Sequence, residues 1–195
     1  MTRLLGLVGS PTAPSKTRSA VEVALESAQE KGVETEIVHL AEFDLERADG
    51  RHIEEYEGDT AAVLDAVIQA DAYVVGTPVY RGSLPGSFKN LFDMVPRGMW
   101  QGDVAPFENA AVGLVATGAT PHHYLSIDQE LRPLFAFFGS QTLGGSVYAS
   151  DDHFDEKEIA DADLRTRLAT LGRATVELHR GIRESEALEE LGPQF

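Results

Sequence analysis

The chain has 195 residues, 25% of them charged, no cysteine and a formal net charge of −16 at pH 7. That length suits one α/β domain with a single sizeable core. The lack of cysteine excludes disulfides, thiolate metal sites and thiolate nucleophiles, and so negative a chain repels nucleic acid and anionic membranes. Lys16, Lys31, Lys89 and Lys157 are its only lysines, the other cations being arginine. An acidic, lysine-poor surface is the composition of cytoplasmic proteins adapted to high salt, where screening mutes self-repulsion, and an ordinary acidic mesophilic protein is the alternative. There is no N-terminal apolar segment with a basic flank, and no run nears the roughly 20 apolar residues that span a bilayer. A soluble, cytoplasmic protein is therefore expected.

RLLGLV at 3–8 reads as a short apolar strand buried on both faces of a parallel sheet. It runs into GSPTAPSKTRS at 9–19, and a helical pattern follows. A strand, a hydroxyl-rich loop and a helix start form an anion site, because the first helical N–H groups lack partners and the dipole is positive there. Ser10, Thr12, Ser15 and Thr17 supply hydroxyls, and Lys16 and Arg18 supply charge. The plainer alternative is that Ser15 or Thr17 merely caps the helix. The dinucleotide pattern G-x-G-x-x-G and the pattern G-x-x-x-x-G-K-[ST] are both absent, and a phosphatase would need the missing thiolate. A loop of this kind binding one terminal monophosphate points to FMN.

Val21, Ala24, Leu25 and Ala28 give the first helix one buried stripe, ended at Lys31-Gly32. VETEIVHL at 33–40 is the second strand, and 41–58 reads as an acidic surface excursion. His39 and His52 lack metal-ligand spacing and read as ordinary surface or strand-end residues. Asp59 or Thr60 can cap a helix carrying Val63, Ala66, Val67 and Ala70, before a third strand at 71–76. The turn-rich stretch 77–87 carries Tyr80 and Arg81, and a helix from about Pro85 buries Phe88, Leu91, Phe92 and Val95. The fourth strand is expected over 108–116, closing in the polar turn 117–121. A helix through Ile127, Leu131 and Phe135 should bend at Pro133, which cannot donate to the Gln129 carbonyl. A fifth strand is expected over 142–149, and a last helix carries Leu164, Leu168, Leu171 and Leu178.

Five strands alternating with helices give a doubly wound parallel sheet, order 2-1-3-4-5. The loops 10–18, 77–83 and 117–120 follow strands 1, 3 and 4 and so converge at one end of it. One domain is expected over 1–182, with an acidic tail over 183–195.

Four stretches carry a family resemblance: GSPTAPSKTRS at 9–19, ADAYVVGTPVYRGSLPGSFKNLFDMVP at 70–96, ATGATPHHYLSIDQELRPLF at 116–135 and GGSVYASDDHF at 144–154. In them the chain resembles the NAD(P)H-dependent FMN reductases of flavodoxin-like fold, particularly those that feed reduced flavin to alkanesulfonate monooxygenases. The resemblance implies that Ser10, Ser15 and Thr17 hold the FMN phosphate, with Thr12, Lys16 and Arg18 nearby. It implies that Pro78, Val79, Tyr80 and Arg81 line the isoalloxazine, and that Thr117 and Gly118 approach its pyrimidine edge. Ser83, Pro85 and Gly86 would start the helix used in homodimer and homotetramer contacts. Two positions depart from the pattern: Thr12, where the family usually carries Arg, and Gln129, where the sulfonate-type reductases carry an aromatic or His.

The implied activity is hydride transfer from NADH or NADPH to FMN, with electrons passed to free flavin, a quinone or a partner monooxygenase. The cofactors do the chemistry, so no residue is assigned as acid, base, nucleophile or metal ligand. A flavodoxin-type electron carrier, or a quinone or azo reductase with bound FMN, would share the same site.

Overall fold

A computed structural model describes residues 1–98 and 103–190. Strand β1 (Arg3–Val8) is central and buried, as its unbroken apolar run requires. Leu5 and Leu7 face one side of the sheet, Leu4 and Val8 the other. β2 (Glu34–His39), β3 (Ala72–Pro78) and β4 (Ala111–Gly118) join it, all parallel, in the order β2-β1-β3-β4. The fifth place is filled by two short strands, β5 (Gln141–Thr142) and β6 (Val147–Ser150), both parallel to β4. The expected order 2-1-3-4-5 is thus present, and the expected strand over 142–149 is broken at 143–146. There the carbonyls of Leu143 and Gly144 turn to the Arg132 guanidinium, at 2.7 and 2.8 Å.

Helices α1 (Lys16–Gln29) and α5 (Ala162–Arg183) cover one face, packing Val21, Ala24 and Leu25 with Leu164, Leu168 and Leu171. α2 (Gly58–Gln69), α3 (Gly86–Met94) and α4 (Arg132–Phe137) cover the other. On that side Phe92, Phe107, Phe135 and Phe138 stack edge-to-face or tilted, with centroids 5.2 to 6.3 Å apart. α6 (Glu186–Glu190) rests Leu188 against the α1–α5 side, and residues 191–195 of the acidic tail lie outside the described residues. No helix among the described residues is long and apolar enough to cross a membrane.

Several local expectations change. Asp59 and Thr60 do not cap α2, whose cap position is Glu57; their side chains accept from Asp44 N and Glu46 N, both at 2.8 Å. They thereby hold the 41–57 excursion, which also buries Ile53 and Tyr56. β4 begins at Ala111 because Asn109, at φ 54°, turns the chain just before it, and it runs on to Gly118 because β6 offers Ser150 as a partner. The bend expected at Pro133 is a π-helical turn over Ile127–Leu131, where Arg132 N reaches Ile127 O, five residues back. β7 (Phe154–Asp155) and β8 (Glu158–Ile159) form a small hairpin that the sequence pattern does not announce.

Candidate active site

A parallel sheet delivers every strand's C-terminal end to one side. The register sets Val8 opposite Gly76, Pro78 opposite Thr117 and Gly118 opposite Ser150. The turns after β1, β3, β4 and β6 therefore open on one cleft of about 260 Å³. Ser10, Thr12, Ser15, Lys16 and Thr17 line it from the first turn, Pro78, Val79 and Tyr80 from the second. Thr117, Gly118 and Ala119 line it from the third, and Asp151 and Lys157 from the segment after β6. Backbone bonds extend the sheet under it: Gly9 N to Gly76 O and Val79 N to Thr117 O, both 2.8 Å. β1 can leave the sheet at Gly9 only without a side chain, since a Cβ there would stand 2.2 Å from Phe88 Cδ1.

Ser15 is the helix cap, its Oγ accepting from Arg18 N at 3.0 Å. The N–H groups of Lys16 and Thr17, in the first turn of α1, have no partner within the helix. Ser10 Oγ donates to Thr12 O at 3.1 Å and tightens the loop. Thr17 Oγ1 and Thr117 Oγ1 lie 2.6 Å apart, both side chains buried on the cleft floor. One hydroxyl proton joins the pair, so the other is left to serve as a donor.

The two first-turn cations part company, because side chains two positions apart on a helix point about 200° apart. Lys16 faces the cleft, its Nζ 2.7 Å from Asp151 Oδ1 and 5.4 Å from the Phe154 ring centroid. Arg18 does not line the cleft; it is paired outside with Glu22 at 2.8 Å and with Glu42, which raise its pKa, Glu22 most. Arg81 does not line it either. It sits with Gly82 at the tip of a two-residue turn, φ 55° and 86°, closed by Tyr80 N to Ser83 O at 2.7 Å and Ser83 N to Tyr80 O at 3.0 Å. Ser83 Oγ donates to Glu130 Oε2 at 2.6 Å, tying this turn to the π-helical segment.

On the far side, Tyr148 Oη donates to Thr120 O at 2.6 Å, and burial, then the charge of Asp151, pushes its phenol up. Gly118 leaves room for that ring, since a Cβ there would stand 2.1 Å from Tyr148 Oη. His39 is a correction: it does end β2, but it is wholly buried, with neither ring nitrogen hydrogen-bonded.

Ten of the twelve positions named from the sequence thus line one cleft, and Ala119, Asp151 and Lys157 join them. Asp151 had a legible signal, because it directly follows the apolar strand VYAS and so falls at the same sheet end. Lys157 had none, since the β7–β8 hairpin is too short to show alternation.

A family model for NADPH-dependent FMN reductases matches residues 2–155. The chain is 38% identical over 181 residues to an NAD(P)H-dependent FAD/FMN reductase of Geobacillus thermodenitrificans, covering 91% of this chain and 93% of that one. It is 35% identical over 161 residues to the NADH-dependent FMN reductase SfnF of Pseudomonas putida, covering 82% and 83%. Its fold is similar to that of the apo form of an NADH:FMN oxidoreductase, EMOB, with a TM-score of 0.79 at 22% identity over 100% of this chain and 97% of that one. A flavodoxin from the Archaea shares the sheet with a TM-score of 0.59 at 10% identity, covering 92% and 99%. The family match runs from the start of β1 through β7, and so through every cleft residue but Lys157; the chain belongs to the NADPH-dependent FMN reductase family of oxidoreductases.

Proposed function

We propose that the cleft binds FMN and that the protein reduces it at the expense of NADH or NADPH. One observation carries the placement: hydroxyls, a helix start and a cation from one turn meet an apolar wall from another in a single cleft. The donor set fits a terminal phosphate, with Ser10, Thr12 and Ser15 as hydroxyls and the unclaimed N–H groups of Lys16 and Thr17. Pro78, Val79 and Tyr80 fit a flat ring, and Thr117 and Gly118 its polar edge. FMN, when bound, supplies the redox chemistry, taking a hydride from nicotinamide and passing electrons on. The protein supplies proximity and orientation. The twin backbone bonds across Arg81–Gly82 and the Ser83–Glu130 bond hold the Tyr80 wall in place.

The family resemblance supports free flavin, a quinone or a partner monooxygenase as the acceptor to which the electrons pass. Assembly as a homodimer or homotetramer is supported by Tyr80, Tyr124 and Leu125, 46%, 60% and 43% exposed on turns after β3 and β4. A nicotinamide donor is met inside cells, which supports a cytoplasmic location. Oxidation of NADH and NADPH with added FMN, against a flavin-free control, tests the reading. FMN-dependent turnover is expected. Tight FMN binding with negligible turnover would instead make the protein a flavodoxin-type carrier, and turnover only with a quinone or azo dye would make it a reductase of that class.

A further inference from the structure

We propose that Asp151 is a specificity-determining residue that weakens the cleft's hold on the flavin phosphate, so that FMN is only modestly preferred over riboflavin. This rests on the reading of the cleft as the FMN site. The first turn carries two cations, but Glu22 and Glu42 take Arg18 outside the cleft. Position 12, at the cleft, is a threonine. Lys16 is thus the one cation that this turn brings to the cleft, and it is already engaged, its Nζ donating to Asp151 Oδ1 at 2.7 Å. Lys157 adds a second ammonium from the β7–β8 hairpin and makes no ion pair among the described residues.

The carboxylate is built into the site. Gly118 pairs with Ser150, which places the next residue at the mouth of the cleft, and the short turn after β6 is fixed by Ser150 N donating to His153 Nδ1 at 3.1 Å. A phosphomonoester carrying about −1.5 to −2 charges at neutral pH therefore meets two ammoniums and one like charge. To use Lys16 it must displace or share Asp151. Riboflavin has the same ring and no phosphate, so it is indifferent to that competition. With Asp151 56% and Lys16 21% exposed, water screens the pair and the effect is moderate. The change on neutralising Asp151 is roughly three- to tenfold in FMN affinity.

The test uses the full chain and follows quenching of flavin fluorescence to obtain Kd for FMN and for riboflavin. Asp151→Asn should lower the FMN Kd roughly three- to tenfold and leave that of riboflavin unchanged, with the gain shrinking in high salt. An FMN Kd that stays put or rises, or a riboflavin Kd that falls equally, overturns the proposal. Asp151→Ser, which removes the charge without an amide, must give the same ratio change, and the melting temperature of each variant checks its fold. Lys16→Gln separates the role of Asp151 from the phosphate site itself. If it weakens FMN while neither Asp151 variant tightens it, the role of Asp151 is wrong and the phosphate site stands. If Lys16→Gln also leaves FMN unaffected, the phosphate lies elsewhere and the site reading fails with it.

Discussion

His39 ends β2 directly beneath the first turn, with no exposed surface and neither ring nitrogen satisfied. Burial, and then the positive charge of Arg18, lower its pKa from the ordinary 6.5, against the opposing pull of Glu42 and of the Ser10 and Thr12 backbone. A histidine neutral when folded and free to protonate when unfolded stabilises the fold fully above about pH 6.5. That contribution drains away as the pH falls from there through the lowered folded value. His179 is lowered by burial too and acts in the same direction. Replacing His39 with Leu should therefore flatten part of the fall in urea midpoint between about pH 7 and pH 5; a slope equal to that of the parent protein would refute the buried neutral ring. The sequence pattern put His39 at a strand end, since ETEIVH alternates until Val38, but not under a lid. The backbone of Ser10 and Thr12 reaches it from the turn after β1, the neighbouring strand, and no local pattern reports a contact made between strands. Lys16 and Arg18 illustrate the converse: both were visible as cations, and helix geometry could have separated them, whereas the carboxylates that claim them could not be foreseen.

Arg132 is where three elements meet. Its Nε donates to Asp128 Oδ1 at 2.6 Å on the π-helical turn, while its two terminal nitrogens hold the Leu143 and Gly144 carbonyls that have left the strand ladder. A side chain only 23% exposed that satisfies two backbone carbonyls with a fixed fork cannot be replaced by a single ammonium. Arg132→Ala should cost about 2 kcal/mol, and Arg132→Lys nearly as much. Denaturant unfolding checks the magnitude, and faster amide exchange confined to residues 141–147 would locate the damage. Most elements were legible because long apolar periodicities mark them: β1, β3 and the helices α1, α3 and α5 stand close to where pattern alone puts them. The break between β5 and β6 was not. TLGGSVYA reads as one extended run, and only the Arg132 fork, arriving from another helix, explains why its middle leaves the sheet. The π-helical turn was equally hidden, since Pro133 announces a missing donor but not the width of the turn before it.

At the scale of the molecule, the net charge of −16 is spread over a domain whose ion pairs mostly keep at least one partner exposed, such as Lys31–Glu177 and Lys89–Asp93. Pairs of that kind contribute little, so screening should relieve more repulsion than it removes attraction. The melting temperature should rise with added KCl, by about 2–4 °C for each kcal/mol of repulsion relieved. A fall on adding salt would show that the ion pairs outweigh the self-repulsion. Chain topology was the most legible layer of all, because alternating strands and helices admit few right-handed solutions. The strand-end turns converge as a geometric consequence of that topology.

The outer strands of the sheet carry one more implication. On one flank β2 shows exposed Glu34 and Glu36, and on the other the ladder is cut into pieces of two and four residues. Neither border offers a long uncharged row of amides for a foreign strand to copy. Concentrated solutions should therefore resist fibril-like growth, and any association between copies has to go through helices and turns instead of prolonging the sheet.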